Sequence, residues 1–508
     1  MADQPNIILI LTDHFRPDAL GSSTPKLMSL AERGVQFANA YCASPLCQPA
    51  RASIITGKFP SQHGICGNQA GPIRSDLRAT TFMSHLQQAG YYTALIGKHH
   101  FLDRFGIGMD VTEDDELIKG CGFDSVLQVV DDDENVHNDD AYTHHLQEKG
   151  LTEKFRRVFD ELAWECKPHP FAEEDTPDGF IGHRGVEFIE DYDSSQPLYL
   201  NLSFIGPHPP YWHPGELRHD PEAMSEPIGA TTDGPVRRGS VKYQALSLTA
   251  KQNRAHYMDK CALIDRWIGK LINALKQRGM LDDTLIVFTS DHGDNLGDFG
   301  IWDKRFFYEQ CVGIPLILAG PVIRGGDRRS GRRISKALVS HLDLYPTFLE
   351  LAGASRKYDY TFWGLSLASL LRAEAGTQHY AVFAELASAL MSPRLFGEFV
   401  APAIHEMARS FDTSVIHLHP STYIPVEYLV ETSLSAIELH IDFGGPRAEE
   451  LLPYYRKILE HKPLIIWGDL APEDFDFIAS KLDRRALALL PVVDSQEQAD
   501  QIWSRFKR

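Results

Sequence analysis

The chain has 508 residues, with 50 Lys+Arg against 69 Asp+Glu, a net charge of −19 and an apolar fraction of 43%. These values suit a globular chain that can bury a large core and exclude disorder, collagen or coiled coil as the main architecture. Seven cysteines in such a length exclude a disulfide-stapled scaffold. The acidic balance argues against a basic nucleic-acid-binding surface while leaving room for a local cationic pocket.

The first apolar run, Ile7–Leu11, has no basic segment before it and no small-residue cleavage site after it. It reads as a buried parallel strand, not a secretory signal. No stretch of about 18 apolar residues is present, so no transmembrane helix and no membrane partner are expected. The expected location is cytoplasmic, with reduced cysteines. Further apolar runs follow at Tyr92–Gly97, Leu198–Phe204, Thr284–Ser290 and Ile314–Ala319, separated by amphipathic stretches such as Thr81–Ala89 and His256–Gln277. This alternation predicts an α/β fold, a mostly parallel sheet with helices on both faces. Ligands of such sheets sit beyond the carboxyl ends of the strands. The informative ends are Thr12-Asp13-His14, Gly97-Lys98-His99-His100 and Ser290-Asp291-His292-Gly293. The acidic stretch Asp131–Asp140 and the Pro/Gly-rich stretch Pro207–Gly239 read as loops or lids, and the basic run Arg324–Arg333 as a solvated loop.

The character changes near residue 386. All seven cysteines lie at or before Cys311, and strand-plus-helix units follow, with strands expected at Ser414–His419, Ala436–Ile441, Pro463–Gly468 and Ala486–Pro491. The expected domains are 1–386 and 387–508, with the boundary at about 386–392.

The segment Cys47-Gln-Pro-Ala-Arg51 followed by Ala-Ser-Ile-Ile-Thr-Gly57 reads as a nucleophile on a turn that opens a helix. Pro49 suits a first helical turn. The helix N-terminus and Arg51 would stabilise negative charge at residue 47 and favour a thiolate. Taken as a bare pattern, a buried structural cysteine is the competing reading.

Nine ordered motifs weigh against that competitor: Asn6–Asp13, Arg16–Gly21, Cys47–Gly57, Pro60–Gly64, Gly97–His100, Gly206–Pro209, Ser290–Gly293, Gly300–Lys304 with Tyr308-Glu309, and His341–Thr347. Together they resemble the sulfatase family of the alkaline-phosphatase superfamily, over Asn6 to about residue 386. The branch is the one near phosphonate monoester hydrolases and choline sulfatases. The resemblance implies that Cys47 is oxidised to formylglycine by a formylglycine-generating enzyme, which needs Pro49 and Arg51. It implies that one hydroxyl of the hydrated aldehyde attacks sulfur or phosphorus, and that the other expels the product. It also implies His100 as the base near the diol, and His208 with Lys304 protonating the leaving group.

A polyanionic ester needs cations around it, and a divalent ion needs carboxylates at neighbouring strand ends. Asp13, Asp291 and His292, with residue 47, are the candidate metal ligands. Arg51 would hold the nucleophile and the metal-site charge, and Lys98 and Lys304 would neutralise substrate oxygens. His14 either ligates the metal or lines the pocket. Ca²⁺ or Mn²⁺ is expected first and Mg²⁺ or Zn²⁺ next, with imidazole tolerating Mn²⁺, Zn²⁺ or Fe²⁺ better than an all-oxygen calcium site would. His63 and Asn68 either line the pocket or pack a turn, and His341 and Asp343 read as capping and packing.

The tail departs from that family. Met391–Pro402 and Ser414–Pro420 resemble the C-terminal part of the uroporphyrinogen decarboxylase family, whose fold is a (β/α)₈ barrel. About 120 residues supply only part of a barrel. The open edges would invite association, including a homo-oligomer. His417 and His419 are remnants without a complete site or, less simply, a zinc pair. The expected function is metal-dependent hydrolysis of small sulfate esters. The alternatives are a phosphonate monoester or phosphodiester hydrolase on the same site, and a methyltransferase-like or partner-binding protein acting through the tail.

Overall fold

A computed structural model describes residues 4–68, 71–102, 106–229, 248–323, 333–354, 364–372, 396–409, 413–418, 424–441, 446–468, 470–483 and 485–491. The chain falls into two compact units, Met1–Glu385 and Leu386–Arg508. The stretch 387–392, where the sequence changes character, and the basic residues 324–332 lie outside the described residues.

Among the described residues the first unit is built on eight strands: β1 (Asn6–Asp13), β2 (Gly34–Tyr41), β3 (Tyr92–Gly97), β4 (Ser125–Gln128), β5 (Leu198–Pro207), β6 (Thr284–Ser290), β7 (Leu316–Ala319) and β8 (Arg333–Ser340). Their order in the sheet is β4-β3-β5-β1-β6-β7-β2-β8. β1 pairs in parallel with β5 and β6 on its two sides, and β3 pairs in parallel with β5 and β4. β7 is antiparallel to both β6 and β2, while β8 is parallel to β2.

The uninterrupted apolar run of β1 follows from this central position. Side chains alternate across a strand, so Ile8 and Ile10 enter one core and Ile7, Leu9 and Leu11 the other. The first core is covered by helices α1 (Pro25–Glu32), α4 (Pro177–Asp191) and α5 (Ala250–Gln277). The second is covered by α2 (Cys47–Thr56), α3 (Phe82–Gln88) and α6 (Leu344–Leu351). Two-sided burial suits parallel strands.

β2, β4 and β8 were not marked out by apolar runs. β4 is a four-residue edge strand. β8 forms the other edge, with half-exposed alternation. β2 carries Gln36 and Asn39 within its length. The acidic stretch Asp131–Asp140, expected as a loop or lid, is an irregular segment that is partly buried. Asp131, Asp132 and Asp140 are buried, and a short helical turn, Asp132–Asn135, lies within it. Asp131 and Asp132 face buried lysines, and Asp140 accepts backbone N–H bonds from Val130 and Thr143. Composition could not show those partners. The Pro207–Gly239 stretch likewise begins inside, with Pro207 to His213 buried.

The second unit contains α7 (Ala401–Ala408), β9 (Val415–Leu418), β10 (Ala436–Ile441), α8 (Ala448–Leu459), β11 (Leu464–Gly468), α9 (Pro472–Lys481) and β12 (Leu487–Pro491). Its four strands are all parallel and stand in sequential order. Ile416, Leu418, Ile437, Leu439, Ile441, Leu464 and Ile466 share a core with helix residues such as Leu451, Tyr455 and Ile478. Across the sheet, His417 Nδ1 lies 2.5 Å from Glu438 Oε1, and the rings of His417, His440 and Trp467 meet edge to face. His419 lies outside the described residues.

Two outcomes follow. Gly97, immediately before Lys98, has φ +107°, and a Cβ there would stand 1.9 Å from the Ser203 carbonyl oxygen of β5. Gly97→Ala is expected to lose roughly 3 kcal/mol, combining left-handed strain of about 1–2 kcal/mol with a backbone overlap of about 1–3 kcal/mol. Thermal denaturation of the variant checks it. Because each unit buries a core of its own, a chain ending at Glu385 is expected to fold and to keep its hydrolytic activity. Circular dichroism with an activity assay checks this, and loss of both would show that the first unit depends on the second.

Candidate active site

The carboxyl ends of four adjacent strands, β3, β5, β1 and β6, deliver Lys98, His208, Asp13 and the pair Asp291-His292 to one place. Residue 47 reaches the same point from the first position of α2, after an extended Leu46. Every residue of α2 is buried. Asn68 Oδ1 accepts the Gln48 N–H at 3.1 Å and so ties down an open helix end.

The Cys47 sulfur is fully buried. It lies 2.6 Å from Lys304 Nζ, 3.2 Å from His292 Nε2 and 3.6 Å from Asp13 Oδ1. Burial, then Asp13, pushes the thiol up against the pull of Lys304 and Lys98. The unmodified side chain is therefore a thiol, contrary to the thiolate expected from the helix end and Arg51. Desolvation of an anion outweighs the dipole here.

Asp13, His14, Cys47 and His292 each offer one donor atom, all within 4.8 Å of one another. His292 Nδ1 donates to the Gly293 carbonyl oxygen at 2.8 Å, which leaves Nε2 as a lone-pair donor aimed at the group. Burial, then His14 and Lys304, lowers the His292 imidazole well below its ordinary range and keeps it neutral. His14 Nδ1 lies 2.7 Å from Asp294 Oδ2, and Tyr211 donates to that same oxygen at 3.1 Å. Its Nε2 lies 3.7 Å from Asp13 Oδ1 and 3.8 Å from Asp303 Oδ1. Both His14 Nε2 and Asp303 Oδ1 are buried without a hydrogen-bond partner among the described residues. Two imidazole nitrogens, a carboxylate and an orphaned carboxylate oxygen fit a divalent cation. Asp291 stands beside this quartet. Its Oδ2 accepts from Arg51 Nε at 2.8 Å, and its Oδ1 lies 3.6 Å from His292 Nε2.

Three buried cations complete the pocket. Arg51 donates to Asp291 Oδ2 at 2.8 Å, to the Lys98 carbonyl oxygen at 2.9 Å and to Ser203 Oγ at 2.8 Å. One side chain of α2 thereby binds β6, β3 and β5. Lys98 Nζ lies 2.6 Å from Asp13 Oδ2 and 2.6 Å from both Asp131 oxygens. Burial opposes its ammonium, but Asp13 and Asp131 raise it well above the ordinary lysine range. Burial also opposes ionisation of Asp13, yet Lys98 and Lys304 hold it well below the usual carboxylate range. Burial opposes the Lys304 ammonium as well, and the Asp13 and Asp303 carboxylates act to raise it.

His208 packs its ring edge-on against His14, with centroids 4.7 Å apart. Its Nδ1 donates to the Pro209 carbonyl oxygen at 2.6 Å. His100 shares a small cleft with Lys98, Asp131 and Glu134. Burial lowers both imidazoles well below their ordinary range, with help from Lys304 for His208 and Lys98 for His100. His14, His100 and Asp303 all have positive φ (67°, 55° and 73°). Such backbone persists where surrounding contacts over-determine it, at about 1–3 kcal/mol each.

The residues of structural rather than chemical character fall outside the quartet. His63 bonds Ser53 Oγ and the Ile65 N–H, a turn-packing role. Asp343 accepts from the Ser340 and Leu365 N–H groups, and His341 Nε2 donates to the Ser290 carbonyl oxygen at the end of β6. Sequence reasoning missed Asp131, Asp294, Tyr211 and Ser203. Asp294 directly follows the Ser290–Gly293 motif, and Asp131 follows the unmarked strand β4, so position after a strand was the available signal.

The sequence model of the family described as Sulfatase matches residues 5–354. The chain is 32% identical over 388 residues to a choline-sulfatase of Rhizobium meliloti, covering 69% of this chain and 68% of that one. It is 29% identical over 415 residues to an arylsulfatase of Clostridium perfringens, covering 74% and 80%. Among solved structures, the phosphonate monoester hydrolase of Silicibacter pomeroyi is similar with a TM-score of 0.59 at 25% identity, over 74% of this chain and 78% of that one. The fold is shared with the phosphonate monoester hydrolase of Agrobacterium radiobacter, with a TM-score of 0.61 at 22% identity, over 74% and 79%. With the family model spanning more than two thirds of its length, this chain belongs to the sulfatase family.

Proposed function

We propose that the chain hydrolyses small sulfate monoesters at residue 47, matured from cysteine to formylglycine by a formylglycine-generating enzyme. One divalent ion would be held by Asp13, His14, His292 and residue 47, with Asp291 alongside. The observation that carries this reading is the convergence of Asp13, His14, His292 and Lys304 on one buried side chain. Formylglycine places oxygen where the sulfur stands, which suits a hard or borderline cation better than a neutral thiol does. The bound ion supplies Lewis acidity and charge neutralisation at the nucleophile.

The chain's own residues supply the rest. Lys98 and Lys304 set positive charge around an incoming sulfate in a pocket closed to water, where electrostatic stabilisation is strongest. Arg51 fixes Asp291 and the strand ends against one another. Lys304, held protonated, carries a proton to the leaving oxygen, with His208 beside it. His100, kept neutral, is equipped to accept a proton. Two imidazoles in the ligand set favour Mn²⁺, Zn²⁺ or Fe²⁺ over Ca²⁺ and Mg²⁺. The same charge pattern accepts a phosphonate monoester, a second reading supported by the likeness to the Silicibacter pomeroyi enzyme. For residues 386–508 we propose part of a (β/α) barrel, on the support of four parallel strands in sequential order.

Parallel assays on an aryl sulfate and an aryl phosphonate monoester test the reading, using protein co-expressed with the maturation enzyme. Sulfate turnover is expected to exceed phosphonate turnover, and the reverse order would favour the second reading. Cys47→Ala is expected to lose at least about 10³-fold in kcat; unchanged activity would defeat both readings. Asp294→Asn removes the carboxylate behind His14, so Mn²⁺ affinity measured by calorimetry is expected to fall about 10–100-fold. Unchanged affinity would remove His14 from the ligand set.

A further inference from the structure

A third buried lysine lies outside the quartet and its three cations. Lys260, on α5, is 2% exposed. Its ammonium has three protons to donate, and three acceptors receive them. They are the carbonyl oxygens of His208 at 3.0 Å and Pro210 at 3.2 Å, and Asp132 Oδ2 at 3.2 Å. Asp178 Oδ2 lies 3.9 Å away, and Asp178 Oδ1 accepts the Gly206 N–H at 2.8 Å. The packing leaves no slack, since a Cβ on Gly206 would stand 2.4 Å from Asp178 Oδ2 and 3.0 Å from Lys260 Cε. The backbone on both sides of His208 is therefore pinned by one ammonium and two carboxylates.

Burying a lysine with two carboxylates is expensive unless every partner is satisfied. A purely apolar packing of α5 against β5 would not need it. What the arrangement adds is a fixed backbone at His208, the residue that stands beside Lys304 on the leaving-group side in the reading above. Asp132 adjoins Asp131, the partner of Lys98. One acidic turn thus anchors the lysine inside the site and the lysine beneath it.

We propose that Lys260 is a positioning residue for His208. It acts through two backbone carbonyl oxygens and touches no substrate. The proposal rests on the leaving-group role given to His208. Its signature is a loss that grows as the leaving alcohol becomes more basic, because only poor leaving groups need the proton that Lys304 delivers with His208 beside it.

The test uses the full chain and the double variant Lys260→Met/Asp132→Asn, which removes the clamp without stranding the Asp132 charge. Lys260→Gln, which keeps a donor near the carbonyl oxygens, accompanies it. Values of kcat/KM are compared for 4-nitrophenyl sulfate, which has an activated leaving group, and an unactivated alkyl sulfate. The expected result is a loss of no more than about 3-fold on the aryl ester and about 30-fold or more on the alkyl ester. Lys260→Gln is expected to fall between the wild type and the double variant on the alkyl ester. An equal loss on both esters in either variant, or no loss in either, overturns the proposal. If the wild type shows no leaving-group discrimination relative to His208→Ala, the underlying role of His208 fails instead, which separates the two failures.

Discussion

Arg51, Lys98 and Lys304 carry positive charge into a place without solvent, and that charge must be matched there. Unpaired, each ion would forfeit several kcal/mol of hydration. Asp13, Asp131 and Asp291 provide the match, each from the end of a strand or just beyond one. Because Arg51 spans three strand ends and Lys98 bridges two carboxylates, the charges also fix the geometry of the sheet's carboxyl edge. The requirement to neutralise buried cations is thus the same requirement that holds the nucleophile's surroundings in place.

The balance is uneven by design. Lys304 stands 2.6 Å from the Cys47 sulfur, while Lys98 is held between the carboxylates of Asp13 and Asp131. His100 and His292 add no charge of their own, because burial keeps their imidazoles neutral. A site organised in this way stabilises oxygens that gain negative charge during the reaction and gives little to a neutral ester. Strained backbone at His14, His100 and Asp303 belongs to the same picture, since these side chains are aimed by contacts that over-determine their main chain.

Much of this was legible in the sequence. β1, β3 and β6 announced themselves through apolar runs that two-sided burial demands, and polar residues that end or follow them, Asp13, Lys98 and His292, converge around Cys47. Cys47, Arg51, Lys98, His208, Lys304, Asp13, Asp291 and His292 all come together within or against one pocket. What the sequence hid has a physical reason in each case. β2, β4 and β8 lie at or near sheet edges and carry polar residues that blur a period of two. Asp131 and Asp132 looked like surface charge because a carboxylate's burial depends on a lysine far away in the chain. The thiol state of Cys47 depended on desolvation, which a helix-end argument does not see. The Asp294 carboxylate that holds His14 Nδ1 lies 280 positions away in the chain, so the setting of His14 could not be read locally.

The most direct test of the central claim is anomalous diffraction from crystals of the mature protein grown with Mn²⁺. The account predicts a single strong peak bonded to Asp13, His14, His292 and an oxygen on residue 47. A peak elsewhere, or one at this place with His14 turned away from it, would contradict it.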